Sequence, residues 1–390
     1  MVDVSLYEYM DSLLRNTPQD MTRYIYSEIA WDARMTGIVG PRGVGKSTMM
    51  LQYILNNKNK EHYLYVSADN VYFMTHTITE LADDFVKDNG DHLFIDEVHK
   101  YKGWSRELKQ IYDVHPKLKV TFTGSSILDI QSGEADLSRR VLMYHMQGLS
   151  FREYLDMFHG IKSNPYTLGE ILSHKVKLPV EHPLPLFRDY LNRGYYPFAN
   201  DIGFEFRMQQ VISQTVESDI AQFADIKAST ARKLKQLLAV VSTLAPYKPN
   251  NDNLSRELGV SKNNVPDYLV YLEKAGMLAQ LRDDTGGLRG LGKVEKIYVD
   301  NPSLMRVLSM NNPNVGNMRE TFFYNQMRVR NELTASKLSD FCIGEYTFEV
   351  GGRKKGKKQI ENVDGGIVVR DDIETGHGIF VPLWMFGMNY

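Results

Sequence analysis

Gly40, Gly43 and Gly45 fall within the eight residues Gly40-Pro41-Arg42-Gly43-Val44-Gly45-Lys46-Ser47, a run that ends in a lysine and a hydroxyl. Glycines at this spacing let the backbone turn so that successive N–H groups point inward, which makes a cradle for an anion with several oxygens. The apolar Gly37-Ile38-Val39 before the run reads as a strand, and Thr48 to Leu55 after it reads as a helix whose positive end would face the same anion. These are the parts of a phosphate-binding P-loop. They make Gly40, Pro41, Arg42, Gly43, Val44, Gly45, Lys46, Ser47 and Thr48 the expected nucleotide-binding residues. Lys46 is expected to reach the β- and γ-phosphate oxygens, and Ser47 to offer its hydroxyl to Mg2+. The expected ligands are ATP and Mg2+.

Further along, His92-Leu93-Phe94-Ile95 ends in Asp96-Glu97, two carboxylates at the tip of an apolar strand. A parallel sheet presents its carboxyl edge to ligand, so the spacing predicts Asp96 at the metal with Ser47, and Glu97 orienting or deprotonating a water. A second carboxylate favours hydrolysis over transfer to a small molecule. Val120-Thr121-Phe122-Thr123 runs into Gly124-Ser125-Ser126, and Ser125 is the candidate for contact with the γ-phosphate or the water; a local hydroxyl turn or helix cap is the alternative. Arg139 and Arg140 precede another strand. A guanidinium from either of them could stabilise charge on the transferring phosphoryl group, with a surface or lid salt bridge as the alternative, and Arg42 carries the same ambiguity. The expected catalytic set is therefore Lys46, Glu97 and Ser125, with Arg139 or Arg140.

The elements that must position these groups follow from the alternation of short apolar runs with longer helical patterns, the mark of an α/β unit with a parallel sheet. Strands are predicted at Met35 to Val39, Tyr63 to Val66, His92 to Ile95, Lys119 to Thr123 and Val141 to Met146, with helices near Lys46 to Leu55, Thr77 to Val86 and Ser105 to Asp113. Beyond Ser150, helices are interrupted by Pro165, Pro179, Pro183 and Pro185, and the last three read as an extended connector. The predicted division is 1–150 for the nucleotide-binding core, 151–235 for a helical lid and linker, 236–300 for a helix pair with a glycine-rich hairpin, and 301–390 for a C-terminal α+β domain. The apolar tail IFVPLWMFGMNY reads as a core strand.

At 390 residues, 43% hydrophobic and 24% charged, the chain has the composition of a multidomain globular protein. Its one cysteine, Cys342, leaves no internal disulfide and no cysteine zinc site. Nowhere do about 18 apolar residues run uninterrupted, and the expectation is a cytoplasmic protein without a membrane anchor. A formal net charge of -2 supplies no global field for nucleic acid, so any such contact must use a local basic patch.

The stretches GPRGVGKSTMMLQYI, LFIDEVHKYKGW, TFTGSS, LSRRVLMYHMQGLSFREYL and RGYYPFAN together resemble a prokaryotic group of AAA+ ATPases that carry a winged-helix domain and a C-terminal domain related to PD-(D/E)xK nucleases. The resemblance covers nearly the whole chain. It implies a sheet of strand order 5-1-4-3-2, and it assigns the nucleotide roles to Gly40, Gly45, Lys46, Ser47, Asp96, Glu97 and Ser125. Arg140 matches the arginine that precedes the last core strand in that group.

Two further segments bear on nucleic acid. Asn253 to Val260 and Ser261 to Ala275 read as a helix, a glycine turn and a second helix, with Val265, Leu269, Leu272 and Met277 as the packing stripe. DNA contact through it would use Lys262, Asn263, Asn264, Arg282, Arg289 and Lys293, whereas Asp267, Glu273, Asp283 and Asp284 oppose a phosphate-binding face. A protein dock or lid is the alternative. In the C-terminal domain Glu320, Asp340 and Glu349 approximate the acidic set of the nuclease-like group, but Gly351 stands where its lysine belongs; an inactive scaffold is expected. The run Arg353-Lys354-Lys355-Gly356-Lys357-Lys358 is a second candidate for DNA, or else a solvated hairpin tip. The leading expectation is an ATPase whose cycle moves its lid and winged helix, acting on DNA or on a protein partner, with oligomerisation open. A nucleotide-gated binding switch with little turnover is the alternative, and a Mg2+-dependent nuclease the third.

Overall fold

The structure, a computed structural model, describes residues 1–57, 60–124, 137, 139–224, 226–284, 292–310 and 312–390. The chain divides into two units, Met1–Gly148 and Leu149–Tyr390. In the first, α1 (Val4–Arg15) leads into β1 (Met35–Val39), α2 (Lys46–Asn56), β2 (Tyr63–Ser67), α3 (Ile78–Lys87), β3 (His92–Asp96), α4 (Trp104–Val114), β4 (Lys119–Gly124) and β5 (Leu142–His145). The five strands form one all-parallel sheet in the order 2-3-4-1-5, which is the expected order read from its other edge.

Every residue of β1, β2 and β3 is buried. That is why these strands read as continuous apolar runs rather than as alternating ones. Helix starts obey local chemistry: Thr77 caps α3 in a reciprocal pair with Glu80, one residue before the helix proper. One element escaped the sequence reading. Helix α1 is capped by Asp3, buries Leu6 and Met10, and lays the Met10 sulfur on the Tyr65 amide of edge strand β2 at 3.2 Å.

The second unit begins with α5 (Phe151–His159), capped by Ser150 with Glu153. Pro183 and Pro185 open α6 (Leu184–Arg193) instead of forming part of an extended connector, because the first turn of a helix has no N–H bond for proline to lose. A long helical stretch follows, α7 (Phe204–Ser213), which continues as a π-helix over Gln214–Asp219. Then come α8 (Ala228–Leu244), α9 (Asn251–Leu258), a turn through Gly259 with φ 60°, and α10 (Asn264–Lys274). The antiparallel pair β6 (Leu278–Arg282) and β7 (Val294–Val299) completes this part, and Tyr247 bridges to Ile297 of β7. Helices α11 (Pro302–Leu308) and α12 (Val315–Met327) precede a mixed sheet of β8 (Thr334–Ala335), β9 (Phe341–Ile343), β10 (Tyr346–Gly351), β11 (Gly366–Arg370) and β12 (Phe380–Pro382). Phe323 of α12 packs against Phe341, Phe348 and Phe386 at ring-centroid distances of 5.1, 5.1 and 4.9 Å. The apolar tail is buried as predicted, but only Phe380–Pro382 is strand; Leu383–Met388 turns into a 3-10 helix.

His92, at the start of β3, lies inside the first unit with Nε2 2.8 Å from the Thr121 hydroxyl and its ring 4.0 Å from Phe94. Burial, helped by the nearby Lys119 charge, pushes its pKa down from 6.5 to about 3. The folded protein therefore holds a neutral imidazole that the unfolded chain would protonate. The associated stability is complete above the unfolded pKa near 6.5 and is lost as pH falls toward the folded value. His92→Gln keeps an amide nitrogen for Thr121 without a titrating group. Between about pH 6.5 and about pH 5 the wild type should lose about 2 kcal/mol more unfolding free energy than this variant, measured by urea titration at both pH values.

Candidate functional site

The candidate site forms where the carboxyl ends of β1, β3 and β4 lie side by side. At the end of β1 the chain turns through Gly43 and Gly45, with φ of 81° and 99°, a region that side chains with a Cβ rarely adopt. Gly40 is needed for a different reason. A Cβ built on it would stand 2.1 Å from the Met146 carbonyl oxygen, so the loop can approach the end of β5 only with glycine there. Helix α2 starts at Lys46 and aims its amino end into the loop, while the buried Lys46 ammonium donates to the Gly40 and Pro41 carbonyls at 2.9 Å each. The loop, the helix end and the lysine together carry the kind of donors that can hold an anion.

Arg23, which the sequence reading missed, fastens this loop from behind. It is buried, donates to the Val44 carbonyl, and donates at 2.8 Å to the carbonyls of both Gln147 and Gly148. Gln52 of α2 in turn donates to Pro18 and Met21, holding the segment that carries Arg23.

Asp96 closes β3 and is almost fully buried. The Tyr65 hydroxyl of β2 donates to one of its oxygens at 2.7 Å, and the Thr123 hydroxyl of β4 donates to the other. Burial, and then the charge of Asp96, raises the Tyr65 pKa far beyond its ordinary value, so Tyr65 remains a donor. Glu97 follows in a left-handed conformation, φ 52° and ψ 38°, with its N–H donated to Thr123 at 3.2 Å. Its carboxylate lies 3.9 Å from the Arg42 guanidinium and 3.5 Å from Nε2 of His99. Burial, followed by the charges of Lys100, Arg42 and Lys46, pushes the His99 pKa down to about 3, so its contact with Glu97 is that of a neutral ring.

The structure thus brings Gly40 to Thr48, Asp96 and Glu97 to one sheet edge. Ser125 lies outside the described residues. Arg140 goes elsewhere: it precedes β5, which runs parallel to β1, and so stands at the opposite edge from the loop, paired with Asp113 at 3.0 and 3.2 Å. The surface ion pair, offered above as the alternative, is the arrangement found. Thr123 and Tyr65 were not singled out from the sequence, although Thr123 comes two residues before Ser125.

In the second unit most of the predicted DNA-contacting cations are already engaged. Lys262 pairs with Asp252 at 2.9 Å, Arg282 with Glu273 at 2.8 Å and Lys293 with Glu295 at 2.8 Å, while Arg289 lies outside the described residues. Asn263 and Asn264 are exposed at the start of α10. Arg353, Lys354, Lys357 and Lys358 are exposed on the segment after β10, with Lys357 paired to Glu361 at 3.1 Å.

The C-terminal acids are linked through lysines. Lys296 of β7 reaches Glu320 at 3.2 Å and Asp340 at 3.0 Å, and the Tyr298 hydroxyl donates to Glu320 at 2.9 Å. Lys355 pairs with Glu349, which also accepts from Ser339. Gly351 does leave a gap where a lysine was expected, but Lys355 fills it: a Cβ on Gly351 would stand 2.6 to 2.9 Å from the Lys355 stem. Among the described residues no group of three or more His, Cys, Asp or Glu side chains is placed to hold a metal ion.

Residues 32–155 match the family described as AAA domain, and residues 184–315 match one described as Domain of unknown function (DUF8612). No curated protein matches the chain. Among solved structures the chain is similar to the Walker-type ATPase PABY2304 of Pyrococcus abyssi, at 13% identity and a TM-score of 0.43 over 73% of this chain and 93% of that one. It is also similar to a point variant of RuvB from Thermotoga maritima, at 14% identity and a TM-score of 0.30 over 71% and 89% of the two chains. A third is AMPPCP-bound DnaA from Aquifex aeolicus, at 12% identity and a TM-score of 0.27 over 70% and 90%. No helix among the described residues is long and apolar enough to cross a membrane.

Burial pushes the Glu320 carboxyl above its ordinary pKa, the neighbouring Asp340 adds to the rise, and Lys296 opposes it. Lys296→Met removes that opposition and leaves two partly buried carboxylates facing each other. The variant should lose about 1–3 kcal/mol of unfolding free energy at about pH 8. Because the orphaned Glu320 takes up a proton more readily in the folded than in the unfolded chain, the loss should shrink toward about pH 5. Chemical denaturation at the two pH values measures both.

Proposed function

We propose that the chain binds ATP with Mg2+ and hydrolyses it. The observation that carries this reading is the single sheet edge shared by the Gly40–Ser47 loop and the Asp96-Glu97 pair, which supplies an anion cradle, a metal-binding carboxylate and a base. Ser47 and Asp96 offer the hard oxygen ligands that suit Mg2+, and the hydroxyls of Tyr65 and Thr123 orient the Asp96 oxygens. The bound ion would neutralise charge building on the phosphate oxygens. Lys46 turns from the Gly40 and Pro41 carbonyls to the β- and γ-phosphates, and Glu97 orients and deprotonates the attacking water. Ser125, next in sequence after β4, keeps its proposed role at the γ-phosphate. Arg140, at the opposite edge, can serve phosphate only in a neighbouring copy, which ties its role to oligomerisation.

The order of α8, α9, α10, β6 and β7, with Tyr247 bridging to β7, supports a winged-helix reading of residues 236–300, moved together with the helical lid by the nucleotide cycle. The ion pairs of Lys262, Arg282 and Lys293 favour a protein-docking or lid role over direct DNA reading. Contact with DNA phosphates falls instead to Arg353, Lys354 and Lys358, exposed on the segment after β10. For residues 301–390 the reading is a nuclease-like scaffold without activity, supported by the lysines that occupy its acids: Lys355 on Glu349, and Lys296 on Glu320 and Asp340.

Lys46→Ala should abolish ATP binding or turnover without unfolding the protein, with a modest fall in melting temperature because the Gly40 and Pro41 carbonyls lose their donor. Glu97→Gln should retain ATP and slow single-turnover hydrolysis by about a hundredfold or more, the range for a positioned base. Wild-type ATP affinity and turnover in Lys46→Ala would remove the loop from the reading. An unchanged rate in Glu97→Gln would leave nucleotide binding standing and support the switch with little turnover.

A further inference from the structure

Arg42 and Glu97 reach toward each other from two elements that would both face the γ-phosphate. Arg42 stands at the crest of the loop, directly after the two residues whose carbonyls hold Lys46. Its guanidinium lies 3.9 Å from the Glu97 carboxylate, and both side chains are about a quarter exposed, at 25% and 21%. The Glu97 backbone is pinned by its N–H bond to Thr123, so the carboxylate can leave Arg42 by side-chain rotation alone.

We propose that Arg42 is a γ-phosphate sensor that restrains the base: without nucleotide it holds Glu97, and on ATP binding it exchanges the Glu97 carboxylate for γ-phosphate oxygens, freeing Glu97 for the water. The inference rests on the ATPase reading above. Its physical basis is competition between two anions for one guanidinium whose planar donors suit either. A γ-phosphate carries more charge than a carboxylate and sits against the same helix end and lysine, so it wins when present. ADP does not bring it. The exchange therefore makes the position of Glu97 depend on which nucleotide is bound, and an empty loop keeps its base occupied.

The test is a double-mutant cycle read by nucleotide affinity, with ATPγS and ADP titrated in Mg2+ against the full-length wild type, Arg42→Ala, Glu97→Gln and the double variant. Arg42→Ala should weaken ATPγS by about tenfold and leave ADP nearly unchanged, the loss expected of a charge-assisted contact to the third phosphate. Retained ADP affinity also shows that the loop is intact. Glu97→Gln should tighten ATPγS in the wild-type background by about threefold, since a neutral amide no longer competes for a partly exposed guanidinium. In the Arg42→Ala background that gain should vanish. The same gain in both backgrounds would overturn the exchange, because it would show simple repulsion between Glu97 and phosphate. Equal losses of ATPγS and ADP in Arg42→Ala would likewise overturn a γ-phosphate role. If the wild type bound neither nucleotide, the ATPase reading itself would fall, and the exchange with it.

Discussion

One carboxylate ties three strands together. Asp96 ends β3, takes a hydroxyl hydrogen from Tyr65 on one side and from Thr123 on the other, and so links β2, β3 and β4 at the edge where the loop after β1 turns. A buried carboxylate without such donors would be costly, and two hydroxyls from the flanking strands meet that demand while fixing the direction of its oxygens. Thr123 serves twice. By also accepting the Glu97 N–H it holds the next residue in its left-handed turn, so the geometry of the candidate base depends on the same hydroxyl that orients the candidate metal ligand. The parallel register then does the rest: Ile38 lies beside Thr123 and Val39 beside Gly124, which brings the loop and the carboxylates to one edge.

The loop is shaped as much from outside as from within. Its glycines permit the turn, but permission is not position, and position comes from Arg23. That guanidinium joins the Val44 carbonyl to those of Gln147 and Gly148, and one buried side chain thereby holds both the phosphate loop and the chain leaving β5. A lysine could not replace it, because a single ammonium cannot spread its donors over the same arc. The N-terminal segment is thus part of the site's support and not only a lead-in to the sheet.

What the sequence revealed and what it hid divide along a physical line. The loop was legible because its chemistry is local: glycines, lysine and serine act at fixed spacing, and the burial of parallel strands writes itself as apolar runs. Strands β1 to β4 and helices α2 to α4 matched expectation to within a residue or two. Arg23, Tyr65 and Thr123 were hidden, since each works through a partner far away in sequence, and no periodicity marks a hydroxyl that will meet a carboxylate on the neighbouring strand. Helix α1 was passed over although its apolar positions recur at helical spacing. Pro183 and Pro185 misled for a simpler reason: proline signals both the end of regular structure and the first turn of a helix.

The C-terminal acids show the same limit in a sharper form. Glu320, Asp340 and Glu349 were chosen from sequence, and the cations that meet them come from places that no motif would indicate. Lys296 comes from β7, before α12 and the mixed sheet have begun. Lys355 comes from a basic run whose other members face water. Gly351 was read as a missing lysine; its small size is what gives the Lys355 stem its path. An absence at one position and a charge shortly after it are therefore a single arrangement, visible only once the backbone shows which space the glycine leaves open. Because Lys296 joins the β6–β7 pair to the acids of α12 and the segment before β9, the charge network also fastens the two halves of this unit to each other, so whatever moves the hairpin must either carry the C-terminal sheet along or break these ion pairs.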